Sequence, residues 1–84
     1  MTELEALPNI GPVVAARLRK AGIASAEQLL SLGAERAFLQ LRAALPEDAC
    51  LSTLYGLAGA VDGVSDRALP PRRREQLREL FRSG

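Results

Sequence analysis

The stretch Leu7-Pro8-Asn9-Ile10-Gly11-Pro12-Val13-Val14-Ala15-Ala16-Arg17-Leu18-Arg19-Lys20-Ala21-Gly22-Ile23 decides the fold class. Pro8 restricts the residue before it and so ends the helical turn or extended lead-in over Leu4-Glu5-Ala6-Leu7. Pro12 suits the first position of a helix, where its missing N–H costs nothing. Val13 to Lys20 continue that helix until Gly22 offers a left-handed cap. Between the prolines lies a tight turn built on Asn9, a residue that tolerates positive φ better than most. Downstream, Ser25-Ala26-Glu27-Gln28 has the form of a capping box, which opens a short helix over Ala26 to Leu32. Gly33 then makes a corner that a residue with a Cβ would tolerate badly.

The rest of the chain continues in helical pieces. A longer helix from about Ala34 to Ala44 sets Phe38, Leu41 and Leu45 at i, i+3 and i+7 before Pro46 stops it. A fourth runs from about Cys50 to Asp62, with Leu51, Leu54, Tyr55, Ala58 and Val61 as its apolar stripe. Gly56 and Gly59 each cost about 1 kcal/mol relative to alanine in a helix interior, so they predict another helix lying close against this one. Pro70-Pro71 fit the entry of a basic helix over Arg72 to Arg82 that turns Leu77, Leu80 and Phe81 inward. No segment sustains the period-2 alternation of a strand. The expected fold is all-α: one domain over residues 1–84, a compact bundle of about five short helices. Ile10, Val14, Leu18, Leu29, Leu30, Phe38, Leu41, Leu54, Tyr55, Leu57 and Leu77 are its expected buried residues.

Composition narrows the function. A chain of 84 residues has material for one hydrophobic core. With aromatics at 4% against 48% apolar residues, that core is aliphatic. There is no histidine and one cysteine, Cys50, which excludes an intramolecular disulfide and the usual Cys/His zinc site. Cys50 sits beside Leu51 and Leu54 and reads as a buried structural thiol with no base to activate it. The acids are dispersed over helix surfaces, so no catalytic constellation is expected, and no cofactor or metal. No charged leader precedes an apolar run, and no stretch reaches the ~20 apolar residues that span a bilayer. A reducing, cytoplasmic setting without membrane contact is expected.

The net charge of +1 hides an uneven distribution. Arg17, Arg19 and Lys20 follow the turn with no acid among them, and Arg72, Arg73 and Arg74 open the last helix. The opening stretch resembles a helix-hairpin-helix motif, in which backbone N–H groups at a helix N-terminus meet a phosphate. On that reading the candidate nucleic-acid-binding set is the backbone of Asn9, Ile10, Gly11 and Val13 together with Arg17, Arg19 and Lys20. The Arg72-Arg73-Arg74 cluster is a second source of phosphate contacts. Such contacts position a duplex without reading its sequence. Both features also have purely structural readings, an amphipathic helix behind a Gly-Pro turn and a solubilising arginine face. The modest charge therefore keeps open a rival, a protein-interaction module in which the hairpin is scaffold alone.

The order of motifs resembles the C-terminal domain of the TfoX/Sxy family, bacterial regulators of natural competence also called DNA transformation proteins. Leu7-Pro8-Asn9-Ile10-Gly11 resembles the family's opening turn, with asparagine familiar at the third position, and Ala21-Gly22-Ile23 follows as expected. Leu32-Gly33-Ala34 with Phe38, Leu39, Leu41 and Arg42 resembles its glycine corner and third helix. Leu54-Tyr55-Gly56-Leu57-Ala58-Gly59-Ala60 with Gly63 resembles its Leu-rich signature, Ala58 standing where an acid is usual. Leu69-Pro70 and a basic, Leu-containing helix complete the pattern. Ser65 and Asp66 represent the polar or aromatic residues often found before it. The resemblance implies a compact helical fold and a non-enzymatic role in regulating competence genes, through DNA or a transcription-related protein. Characterised members carry an N-terminal domain ahead of this one, so transcriptional co-activation is not carried over to a chain read as this domain alone.

Overall fold

The computed structural model describes residues 1–83. In order they form a 3-10 turn at Leu4–Ala6, helix α1 at Pro12–Lys20, α2 at Ala26–Leu32 and α3 at Ala34–Ala44. A 3-10 turn at Pro46–Asp48 follows, then α4 at Leu51–Asp62, a 3-10 turn at Asp66–Ala68 and α5 at Pro71–Ser83. The described residues contain no strand, and five α-helices is the number the sequence predicts.

The boundaries follow local chemistry. Pro12 occupies the first turn of α1 behind Gly11. At its far end Gly22 turns left-handed, so that the Ile23 N–H reaches back to the Leu18 carbonyl at 2.9 Å. This satisfies a carbonyl that the helix end leaves without a partner. The Ser25 hydroxyl accepts from the Gln28 N–H at 3.2 Å, and the Gln28 side chain accepts from the Ala24 N–H at 2.6 Å. The box thus closes on the residue before the cap rather than on Ser25 itself. Gly33 alone joins α2 to α3, with φ 80° and ψ 164°. Those angles are essentially reserved for glycine. No heavy atom beyond its chain neighbours lies within 4 Å of a Cβ built there, so a substitution meets backbone strain and no clash. Gly33→Val is expected to cost ~1–3 kcal/mol. At ~4–8 °C per kcal/mol for a domain of this size, a thermal melt reads this as a clear fall in Tm. An unchanged melt would contradict the corner.

The core gathers between α3 and α4. Leu18, Ile23, Leu29, Phe38, Leu54, Leu57 and Leu77 are fully buried, and the 3-10 turn at Leu4–Ala6 closes one side by burying Leu4. Several expectations need correction. Leu30 is 46% exposed. A seven-residue helix has one buried stripe, and Ala26 with Leu29 fills it while Leu30 sits about 100° further round. Val14 and Tyr55 are half-buried rather than buried, packing against the rim of the core. Phe81 leans on Phe38 with ring centroids 6.2 Å apart but stays partly in solvent. Cys50 is exposed and caps α4 from outside instead of lying within it. Gly56 and Gly59 do admit a close neighbour. That neighbour is not a helix but the Asn9 turn, joined at Gly59 by the chain at Val64 and Asp66.

Candidate nucleic-acid interface

The turn ahead of α1 is held from the inside. Asn9 takes φ 68°, the one positive φ of a non-glycine residue among those described. Its Nδ2 donates to the Gly56 carbonyl at 3.3 Å and the Val64 carbonyl at 3.0 Å, while its Oδ1 accepts from the Asp66 N–H at 3.2 Å. The side chain therefore bridges the turn to α4 and to the loop behind it. The Ile10 N–H points to the Leu7 carbonyl at 3.4 Å, and the Ile10 side chain is in the core. The side chains of Asn9 and Ile10 are thus both engaged within the fold.

Gly11 and Val13 have a different setting. Gly11, Pro12 and Val13 lie at the surface, Val13 being 61% exposed. No side chain caps α1, and its first turn contains no acid. The ladder of α1 begins with the Ala15 N–H on the Gly11 carbonyl at 3.0 Å. The N–H groups of Gly11, Val13 and Val14 precede that ladder, and the partial positive charge of the helix end goes with them. Along the outward face of α1, Val13, Ala16 and Lys20 fall at i, i+3 and i+7 and are all exposed. Ala16 leaves the middle of that face short and without charge.

The cations beside this face are unequal. Arg17 lies 3.5 Å from the Asp48 carboxylate, and Arg19 donates to Glu5 at 3.2 and 2.8 Å and to Glu3 at 3.4 Å. The hydrogen bond from Arg19 holds the Glu5 carboxyl below its ordinary range, and the same bond raises Arg19. Lys20 is exposed and has no carboxylate within 4.0 Å among the described residues. In the C-terminal cluster Arg73 forms a two-pronged pair with Glu35 of α3, its Nη2 at 2.9 Å, and keeps that carboxyl below its usual range. Arg74 donates to the Asp66 carbonyl at 2.9 Å and lies 5.2 Å over the Tyr55 ring. Cations in a helix's first turn oppose its dipole, and these two are retained there by tertiary contacts. Arg72 alone of the three is fully at the surface.

Two features had no clear sequence signal. Beside the turn lies a cleft of about 140 Å³ lined by Asn9, Ile10, Val14, Ser52, Thr53 and Asp66, among others. The hydroxyls of Ser52 and Thr53 stand 3.2 and 3.1 Å from the Cys50 Sγ and lower its thiol pKa to about 7. The Cys50-Leu51-Ser52-Thr53 string could have been read as a helix start, with its polar groups turned out of the core. The other feature is the set of acids opposite the cations, Glu3, Glu5, Glu35 and Asp48, whose partners are distant in sequence.

The family model of the TfoX C-terminal domain matches residues 1–81. The chain belongs to the TfoX C-terminal domain family. Two crystal structures of Listeria monocytogenes proteins resemble this TfoX C-terminal domain closely. One, in a triclinic form, is of an uncharacterized protein; it is 35% identical with a TM-score of 0.91, over 98% of this chain and 92% of the other. A protein of unknown function in a tetragonal form is 36% identical with a TM-score of 0.86, over 95% and 98% of the two chains. A comparison with curated protein sequences gave no match. No helix among the described residues is long and apolar enough to cross a membrane.

Proposed function

We propose that this TfoX C-terminal domain is a non-enzymatic regulatory module that rests the exposed start of α1 on the phosphate backbone of DNA, in the service of competence or related transcription. The observation that carries this reading is the uncapped, acid-free first turn of α1 at the surface, with the amides of Gly11, Val13 and Val14 ahead of the helical ladder. Lys20 and Arg17 lie further along the same helix, and Arg72 supplies a separate surface cation. Asn9 and Ile10 act indirectly, by fixing the turn. Binding of this kind is weak, indifferent to sequence and steeply salt-dependent, because neutralised phosphates release counterions. The test is a fluorescence-anisotropy titration with a generic labelled duplex at several salt concentrations. Replacing Arg17, Arg19 and Lys20 by alanine is expected to lower the slope of log K against log salt by about 0.9 for each cation that meets a phosphate. Lys20→Ala alone is expected to account for the largest share, since both arginines face acids. Absence of binding at low salt overturns the reading. An unchanged slope in a folded triple variant moves the contact away from α1.

A second reading has its own support. Val13 is an exposed apolar residue at the head of α1, and Arg17, Arg19, Arg73 and Arg74 are already engaged within the chain. Those facts favour a protein partner, and loss of duplex binding in the titration would point to one.

A further inference from the structure

Arg19 lies on the flank of α1, beside the outward stripe of Val13, Ala16 and Lys20, and two acids from a different segment hold it. That segment is anchored independently. The Thr2 N–H donates to both carboxylate oxygens of Glu27 at 2.9 and 3.1 Å, and the Thr2 hydroxyl donates at 2.7 Å. The Ala26 N–H donates to the Thr2 carbonyl at 2.9 Å, and Leu4 is fully buried. Residues 2–5 are therefore a strap pinned at the start of α2 and in the core. Its two outward side chains, Glu3 and Glu5, are presented to one guanidinium.

We infer that this strap is an electrostatic mask beside the proposed phosphate-binding face, in which Glu3 and Glu5 occupy Arg19 and keep it from the DNA backbone. The inference rests on the duplex-binding reading above and adds a regulatory element to it. A carboxylate and a phosphate oxygen compete for the same planar N–H groups of arginine. The strap wins locally because it is pinned, so Arg19 contributes only when the acids are displaced or neutralised. Exposed pairs of this kind are weak, which keeps the mask reversible.

The test compares wild type, Glu3→Gln/Glu5→Gln, Arg19→Gln and the triple combination, each checked for folding, in the duplex titration. The Glu3→Gln/Glu5→Gln protein is expected to bind about two- to fivefold more tightly at low salt, the span set by the worth of an exposed pair. Its salt slope is expected to steepen by up to about 0.9 as one more phosphate is neutralised. Removing two negative charges also favours DNA in general, so the Arg19→Gln background decides. There only the general part of the gain is expected to remain, without the steeper salt slope. Wild-type binding that the acid substitutions leave unchanged overturns the mask alone, as does a gain of the same size and slope without Arg19. If neither wild type nor the Glu3→Gln/Glu5→Gln protein binds duplex at low salt, the phosphate reading falls and the mask with it.

Discussion

Gly59→Ala is expected to destabilise the protein by about 3 kcal/mol, although alanine is the better helix former by about 1 kcal/mol. A Cβ on Gly59 would lie 2.5 Å from the Asn9 Nδ2, 2.7 Å from the Val64 carbonyl oxygen and 3.1 Å from the Asp66 nitrogen. Two of these atoms are backbone. The third belongs to a side chain that can withdraw only by giving up its own hydrogen bonds. Overpacking of this sort costs ~1–3 kcal/mol, and each lost hydrogen bond adds ~1 kcal/mol. A chain of this length has roughly 4–13 kcal/mol of stability in all, at 0.05–0.15 kcal/mol per residue. Thermal denaturation should therefore show a fall of ~12–24 °C. Gly56→Ala is the internal control, one helical turn earlier on α4. Its Cβ would meet the Asn9 Cβ at 3.6 Å, an ordinary contact, so the helix propensity of alanine dominates and stability should hold or rise slightly. Equal melts for the two variants would mean that the turn does not sit against Gly59.

The contrast between these glycines shows what a sequence carries. Helix limits were legible because their signals act within a few residues: Pro12 at the start of α1, the Ser25 cap, the Gly33 corner and Pro46 after α3 each fix the chain locally. The glycines of α4 announced a close approach but not its partner. The partner is a turn some fifty residues away, and only tertiary packing brings it there. Cys50 was misplaced because its leucine neighbours are buried or half-buried while the cap position itself faces out. The cations were found and their partners were not, since the pairs Arg19 with Glu5, Arg17 with Asp48 and Arg73 with Glu35 join different elements. The cations of the candidate site were therefore visible as composition. Which of its charges are available was decided by the fold.

Asn9 is where the two levels meet, and a substitution series there separates its roles. Asn9→Ala removes three side-chain hydrogen bonds and leaves alanine at φ 68°. The bonds are partly exposed, so each is worth nearer the low end of ~0.5–1.5 kcal/mol. The left-handed backbone adds ~1–2 kcal/mol for a residue with a Cβ. The sum is about 3 kcal/mol. Asn9→Gly loses the same bonds without the backbone penalty, so it should be the milder change by at least ~1 kcal/mol. Asn9→Asp keeps the acceptor for the Asp66 N–H but turns a carboxylate oxygen toward the Gly56 and Val64 carbonyls, where only a donor is satisfied. Despite its near-identical shape it should be no better than alanine. Chemical denaturation of the three variants tests the order glycine, then alanine and aspartate. Wild-type stability for Asn9→Ala would remove the bridge, and alanine milder than glycine would contradict the left-handed turn. The same proteins examine the scaffold role: the Asn9 side chain reaches α4 and the loop behind it, while the amides at the head of α1 belong to Gly11, Val13 and Val14. Duplex binding by folded Asn9→Gly should therefore stay close to wild type even as its stability falls. Binding lost in proportion to neither stability nor helix content would instead give the Asn9 side chain a direct part in binding.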